Sequence, residues 1–276
     1  MTVRLCATLV ALLAGVVFVG NAAAAAGTST SSNWAGYAVS PVDPAVSYKA
    51  VSGTWVQPAA TCSGTPAYAA FWVGLGGLDS SSQALEQVGT EAGCDPSGTP
   101  SYNAWYELVP AASVDLRLPV RAGDTMSASV SVSGHAVVLR IRNVTLGAQV
   151  VKKLRMRAPE TSSAEWIAEA PSACTGYGRC SPLRLADFNT VAFGKATATA
   201  GSHTGTISDP AWTATAIELQ EAGFFRSSFG SDAPPAGALP SSLSADGSAF
   251  GISWLQTSQP AQPDSPPAPP DSPPAA

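Results

Sequence analysis

Residues Met126 to Ser133 read Met-Ser-Ala-Ser-Val-Ser-Val-Ser, which puts Met126, Ala128, Val130 and Val132 on one side and four serines on the other. Side chains alternate along a strand and recur every 3.6 residues on a helix, so only a β-strand can bury one face of this pattern and wet the other. The run His135–Asn143 continues it, with Val137, Leu139 and Ile141 opposite Val138, Arg140 and Arg142, and Gly134-His135 between the two predicts a hairpin turn. Further short strand-like runs lie at Ala50–Val56, Ala67–Leu75, Tyr102–Val109, Ala164–Glu169, Thr190–Thr197, Thr213–Leu219 and Ser248–Leu255, separated by clusters of Gly, Pro, Ser and Asp. No stretch of twelve or more residues carries a helical apolar face. The expectation is an all-β chain folded as an antiparallel β-sandwich.

Both ends stand apart from this pattern. Residues 1–26 run from a lone Arg4 through an apolar stretch, Leu5 to Val19, into Asn21 and five alanines, the order of a secretory leader and too short for a membrane span. Residues 259–276 hold eight prolines in eighteen positions and repeat Pro-Asp-Ser-Pro-Pro, which predicts an extended, solvated tail. Residues 27–258 are left as one β-sandwich domain. The expected product is secreted, extracellular and free of the membrane once the leader is removed.

Without the leader, thirteen Lys+Arg face nineteen Asp+Glu, a net of −6 with both histidines neutral. Four lysines and no basic run give little with which to neutralise phosphate, which argues against a nucleic-acid partner. So few cations also limit self-repulsion when carboxylates protonate, so an acidic working pH is permitted. The four cysteines outside the leader suit an oxidising compartment. Cys174 and Cys180 read as a local bridge, and Cys62 and Cys94 as a bridge across the loops flanking the Ala67–Leu75 strand. Zinc would need a close Cys-x-x-Cys spacing that is missing, and no metal or other cofactor is expected.

Histidine is too scarce for several familiar hydrolytic sites. His135 falls in the hairpin turn and His203 in a loop, neither beside a Gly-x-Ser-x-Gly elbow, so both read as solvated turn residues. Gly74-Leu-Gly-Gly77 has no following Lys-Ser/Thr and reads as a turn. Asn143-Val-Thr145 is a sequon only formally. What remains is a set of carboxylates and amides at period two. Glu165 and Glu169 share a side of Ala164–Glu169, Gln87 and Glu91 share a side of Gln87–Glu91, and Trp105 and Glu107 are neighbours at the same period. Such groups belong on the wet face of a sheet.

Ser32-Asn-Trp-Ala-Gly-Tyr-Ala-Val39, Phe71-Trp-Val-Gly-Leu-Gly-Gly77, Gln87-Val-Gly, Tyr102-Asn-Ala-Trp-Tyr-Glu107 and Ala164-Glu-Trp-Ile-Ala-Glu169 occur in this order. Together they resemble the eqolisin-type glutamic endopeptidases, a family of secreted acid proteases, from Asn33 to about Trp254. The resemblance implies two large antiparallel sheets packed as a concanavalin- or jelly-roll-like sandwich, with a concave active-site face. It implies that Glu165 is the general base that activates water and then protonates the leaving amine, and that the Gln87 amide stabilises the oxyanion. Trp72, Trp105, Glu107, Glu91 and Glu169 match cleft positions. Protein or peptide substrates and a monomeric enzyme are expected.

There are departures. Gly76 stands where fungal members carry Asp after the Trp-Val-Gly-Ile stretch, Val109 replaces a cleft tyrosine, and Glu91 replaces an Asp. Fungal members also carry a sizeable propeptide, whereas Asn33 follows the expected leader closely, so pH alone is expected to control activity. Two other readings stay open. A glycoside hydrolase could use paired glutamates, but Glu165 and Glu169 are ~13 Å apart along an extended strand, far from the ~5 Å of a retaining pair. A non-catalytic module could use Trp72, Trp105 and Trp166 as a sugar- or peptide-binding platform.

Overall fold

The serine-faced run forms the hairpin that its alternation requires, with Met126, Ala128, Val130 and Val132 buried and the serines facing outward. Residues 27–79, 81–174, 180–220 and 236–256 are described by the computed structural model; the expected leader and proline-rich tail lie outside them. In chain order the strands are Gly27–Ser31 (β1), Trp34–Pro41 (β2), Tyr48–Val56 (β3), Ala67–Leu75 (β4), Leu85–Cys94 (β5) and Pro100–Val109 (β6). Val114–Leu116 (β7), Thr125–Ser133 (β8), Ala136–Asn143 (β9), Ala148–Arg155 (β10), Ala164–Glu169 (β11) and Ser172–Cys174 (β12) follow. The last six are Cys180–Pro182 (β13), Thr190–Ala200 (β14), His203–Gly205 (β15), Trp212–Gln220 (β16), Ala236–Pro240 (β17) and Phe250–Gln256 (β18). There is no helix among the described residues.

One hydrogen-bonded path runs β10-β9-β8-β3-β14-β18-β17-β16-β2-β11-β4-β5-β6-β7 and doubles back so that β3 and β8 lie against β4 and β5. The two layers of the sandwich are therefore the two arms of a single antiparallel ribbon; β1, parallel to β16, is the exception. Two indoles cross between the arms. Trp55 donates to the Thr90 hydroxyl at 3.0 Å and Trp166 to the Ser52 carbonyl at 2.8 Å, so both bury a large apolar area without stranding their N–H groups. Tyr37, Phe250 and Phe193 continue this core, the last two stacked at 5.4 Å.

Both expected bridges are present, Cys62–Cys94 and Cys174–Cys180. Asn143 is wholly buried and donates to Asp124 at 2.7 Å and to the Pro119 carbonyl at 3.0 Å, so the sequon amide is closed to a glycan. His135 sits at the hairpin turn as expected. His203 departs from the reading as a loop residue: it opens β15 and bonds Asp209 at 2.9 Å. The glycine run also differs, since Gly74 and Leu75 complete β4 and only Gly76 and Gly77, at φ of 84° and 87°, make the turn.

Candidate active site

Register builds the site. Ala164, Trp166 and Ala168 of β11 enter the main core, which sends Glu165, Ile167 and Glu169 to the other face of that layer. Across β11, β4, β5 and β6 the paired residues form rows on this face. The first row is Glu165, Gly74, Gln87 and Glu107; the second is Ile167, Trp72, Gly89 and Trp105; the third is Glu169, Ala70, Glu91 and Asn103. All seven residues expected from sequence, Gln87, Glu165, Trp72, Trp105, Glu107, Glu91 and Glu169, thus come to one face. A second apolar cluster of Ala38, Ala70, Trp72, Leu85, Trp105, Ile167 and Ile217 underlies it.

In the first row Gln87 and Glu165 are two strand spacings apart, about 9–10 Å between backbones. The residue between them is a glycine, so no side chain of β4 separates the amide from the carboxyl. The Trp72 ring packs against this glycine: a Cβ on Gly74 would lie 2.8 Å from its Cζ3, 3.1 Å from Leu85 Cδ1 and 3.2 Å from the Glu86 carbonyl. Gly89 is held close to β4, since a Cβ there would meet the Phe71 carbonyl at 2.3 Å and Trp72 Cβ at 2.6 Å. We expect Gly74→Ala to fold but to lower the activity of the site about 10–100-fold, with a shifted tryptophan emission, because its Cβ displaces Trp72. Wild-type kinetics would contradict this placement.

Gln87 is nearly buried and its Nε2 donates to Glu107 Oε2 at 2.7 Å, which sets the amide orientation and leaves a second N–H for another acceptor. Burial raises the Glu107 carboxyl, and the Gln87 bond opposes the rise. Glu165 is fully buried, and neither of its oxygens has a hydrogen-bond partner among the described residues. Burial pushes its carboxyl well above the ordinary range; the nearby Ser163 hydroxyl pulls it down, and the charges of Glu160 and Glu86 push it further up. The wet face expected for these carboxylates is therefore dry at Glu165.

Glu169 receives the Trp72 indole N–H at 2.8 Å and the Asn33 amide at 3.0 Å. Burial still lifts it to about 7, with those bonds opposing and Glu107 adding repulsion. Trp34 stands edge-on to Trp72 at 5.0 Å, so Asn33-Trp34 and Trp72 together seat Glu169. Glu91 is raised by burial and then by Asp115, which itself accepts from Asn103 at 2.8 Å. The Trp105 indole N–H is buried and has no partner among the described residues.

Sequence reasoning passed over Glu86. It lies next to Gln87 on β5, faces the opposite side and is wholly buried; its Oε1 accepts the Glu160 backbone N–H at 3.2 Å. Burial, with Glu160 repulsion, pushes it up to about 8. At the departure position Gly76, a Cβ would sit 2.8 Å from Glu160 Cβ, so the Glu160 side chain starts from the space a residue there would fill.

Residues 32–232 match the model of the peptidase A4 family. Aspergillopepsin-2 of Aspergillus niger is 30% identical over 220 residues, covering 70% of this chain and 72% of that protein. Scytalidopepsin B of Scytalidium lignicola is 30% identical over 170 residues, covering 58% and 60% respectively. Among solved structures, scytalido-glutamic peptidase bound to a peptide-based transition-state analogue superposes with a TM-score of 0.63 at 25% identity, over 81% of this chain and 98% of that one.

Proposed function

The chain belongs to the peptidase A4 (eqolisin) family of glutamic endopeptidases, and from that premise we propose that it hydrolyses peptide bonds in acid with Gln87 and Glu165 as its catalytic pair. The observation that carries the assignment of residues is the first row of the site: an oriented amide and a carboxyl on one face, with only Gly74 between them. A substrate carbonyl over Gly74 accepts the free Gln87 N–H while Glu165 takes a proton from the attacking water. Charge gathers on the carbonyl oxygen, where the amide is already pointed. Glu165 then returns its proton to the departing nitrogen, and atoms and charge balance over the cycle. Glu107 acts on Gln87, not on the substrate. Trp72, Trp105, Glu91 and Glu169 line the face on which an extended peptide lies, and the partnerless Trp105 N–H is a donor for a peptide carbonyl.

An amide keeps its charge state as pH falls, which suits an oxyanion donor to acid. The leader-like start and the two disulfides support export to an oxidising compartment. The test is hydrolysis of a denatured casein-type substrate across pH 2–7. Activity confined to the acid range is expected, with Gln87→Ala lowering kcat about 10²–10³-fold with little change in KM. A Gln87→Ala protein as active as wild type would remove the amide from the mechanism. The same first row weighs against paired-glutamate glycosidase chemistry, because the carboxyl faces an amide across the floor of the site.

A further inference from the structure

Charge is unevenly spread over this chain. Residues 125–159 contain no Asp or Glu, yet they hold six of the thirteen Lys and Arg outside the expected leader. Pairing of β9 with β10 gathers five of the six onto one surface. Side chains of the β10-β9-β8-β3 arm alternate between core and exterior. Arg140, Arg142, Lys153 and Arg155 fall on the exterior, with Arg157 exposed just beyond them. The sixth, Lys152, turns inward, 5.9 Å over the Tyr106 ring. None of the five has an ion-pair partner among the described residues. The residues beside them are uncharged: Ser127 and Thr54 in the row of Arg142, Ser129 and Ser52 in the row of Arg140.

The same surface carries apolar groups. Val56, Val144, Leu146 and Val151 are four of the nine large hydrophobic side chains exposed among the described residues, so such groups concentrate here. Val151 pairs with Arg140, and Val56 pairs with Thr125, whose carbonyl accepts the Val144 N–H at 2.8 Å. Val144 and Leu146 stand on the turn between β9 and β10, and that turn is fixed. The Leu146 N–H donates to Asn143 Oδ1 at 3.1 Å, and the Thr125 N–H donates to the Thr145 hydroxyl at 2.9 Å.

Protection of a sheet edge accounts for Lys153 and Arg155, because β10 ends the ribbon and charges there discourage pairing with another chain. It does not account for Arg140 and Arg142, which lie on β9 between two bonded neighbours. Nor does it account for a valine and a leucine held out on a fixed turn. Cations set around exposed apolar tips suit a lipid bilayer, where phosphate headgroups take the charge and the acyl boundary takes the tips. We propose that the outer face of this arm docks on an anionic lipid membrane. Arg140, Arg142, Lys153, Arg155 and Arg157 meet the headgroups, and Val144 and Leu146, flanked by Val56, enter beneath them. A soluble polyanion would use the cations alone and leave the tips wet. The row of Gln87 and Glu165 lies on the outer face of the other arm, so a docked molecule turns that row toward solution. Docking of this kind is peripheral and needs no spanning segment. It departs from the expectation of a chain free of the membrane once the leader is removed.

The proposal does not depend on the chemistry assigned to Gln87 and Glu165, and its test reads binding alone. The full chain without its leader is sedimented near neutral pH with vesicles of phosphatidylcholine, with or without phosphatidylglycerol. With thirteen Lys and Arg against nineteen Asp and Glu the chain as a whole is anionic there, so general attraction to the vesicles is absent. Binding only to the vesicles that contain phosphatidylglycerol is expected, with release at high salt. Arg140→Thr/Arg142→Thr should weaken partitioning about 20-fold, at roughly fivefold per cation. Val144→Ser/Leu146→Ser should weaken it about 10-fold or more. Both variants change exposed side chains, so wild-type melting is expected and is measured as the check on folding. Should either melt early, the single changes Arg142→Thr and Leu146→Gln stand in for it. Equal sedimentation with and without phosphatidylglycerol, or none with either, overturns the proposal. So does undiminished binding of either variant. Where the Val144→Ser/Leu146→Ser protein alone binds as before, the occupant is a soluble phosphate polymer, and retention on immobilised polyphosphate shows it.

Discussion

Glu165→Gln is expected to lower hydrolysis of a denatured protein at pH 3–4 by at least about 10³-fold and to melt at or above the wild-type temperature. The first half follows from removing the group that both takes and returns the proton, steps each typically worth 10²–10⁴ in rate. The second half follows from burial. Glu165 is a wholly enclosed carboxyl with no partner for either oxygen among the described residues, and a neutral amide of the same shape is easier to desolvate than a charge. A residue kept only for packing or for the fold would show the reverse, lost stability with activity lost only in proportion. Rates by peptide release and melting by circular dichroism decide the matter. A folded Glu165→Gln enzyme with wild-type turnover would end the assignment.

The second large effect is on stability toward neutral pH. Glu86 ionises near 4.5 in an unfolded chain and at about 8 in the folded one. Below pH 4.5 both states hold the proton, and stability is greatest. Between 4.5 and 8 the unfolded chain releases its proton while the folded chain keeps it, so stability falls as pH rises; above 8 the loss is complete. That loss is on the order of 5 kcal/mol, or roughly 10–20 °C in Tm for a domain of this size. Glu169, raised to about 7, adds a loss of the same sign between 4.5 and 7. The wild type should therefore melt well below its acid Tm at pH 8. Glu86→Gln should recover the Glu86 share of the difference at pH 8 while leaving the midpoint at pH 4 nearly unchanged. Equal melting of wild type and Glu86→Gln at both pH values would show that the carboxyl is not held protonated by burial.

How far such features can be read from sequence depends on whether a strand has one wet face. β8 and β9 do, and their alternation exposes both strands and the turn between them. β2 and β5 are covered on both sides, with Ala35 to Val39 and Leu85 to Thr90 buried without interruption; β2 therefore carries no alternation, and β5 shows only in the period-two spacing of Gln87 and Glu91. β10 alternates in burial but not in sequence, where Val150-Val151 and Lys152-Lys153 pair like residues, and it is absent from the strands expected above. The site divides in the same way. Gln87 and Glu165 are recognisable through the ordered motifs around them, and strand periodicity then puts Glu91 and Glu169 on their sides. Glu86 is invisible by either route: it is a charged residue on the face of β5 that Val88 and Ala92 turn into the core, where no pattern anticipates a carboxyl.

The position of β11 between β2 and β4 has a temporal consequence. Its neighbours belong to the first 75 residues, whereas β11 itself is Ala164–Glu169. As the polypeptide emerges from the ribosome, β2 and β4 exist long before the strand that must be threaded between them, and closure over such sequence distances is slow. Until that insertion, amide and acid belong to separate pieces of unfinished polypeptide. With Gln87 and Glu165 as the proposed pair, the chain is expected to stay inactive until β11 is in place.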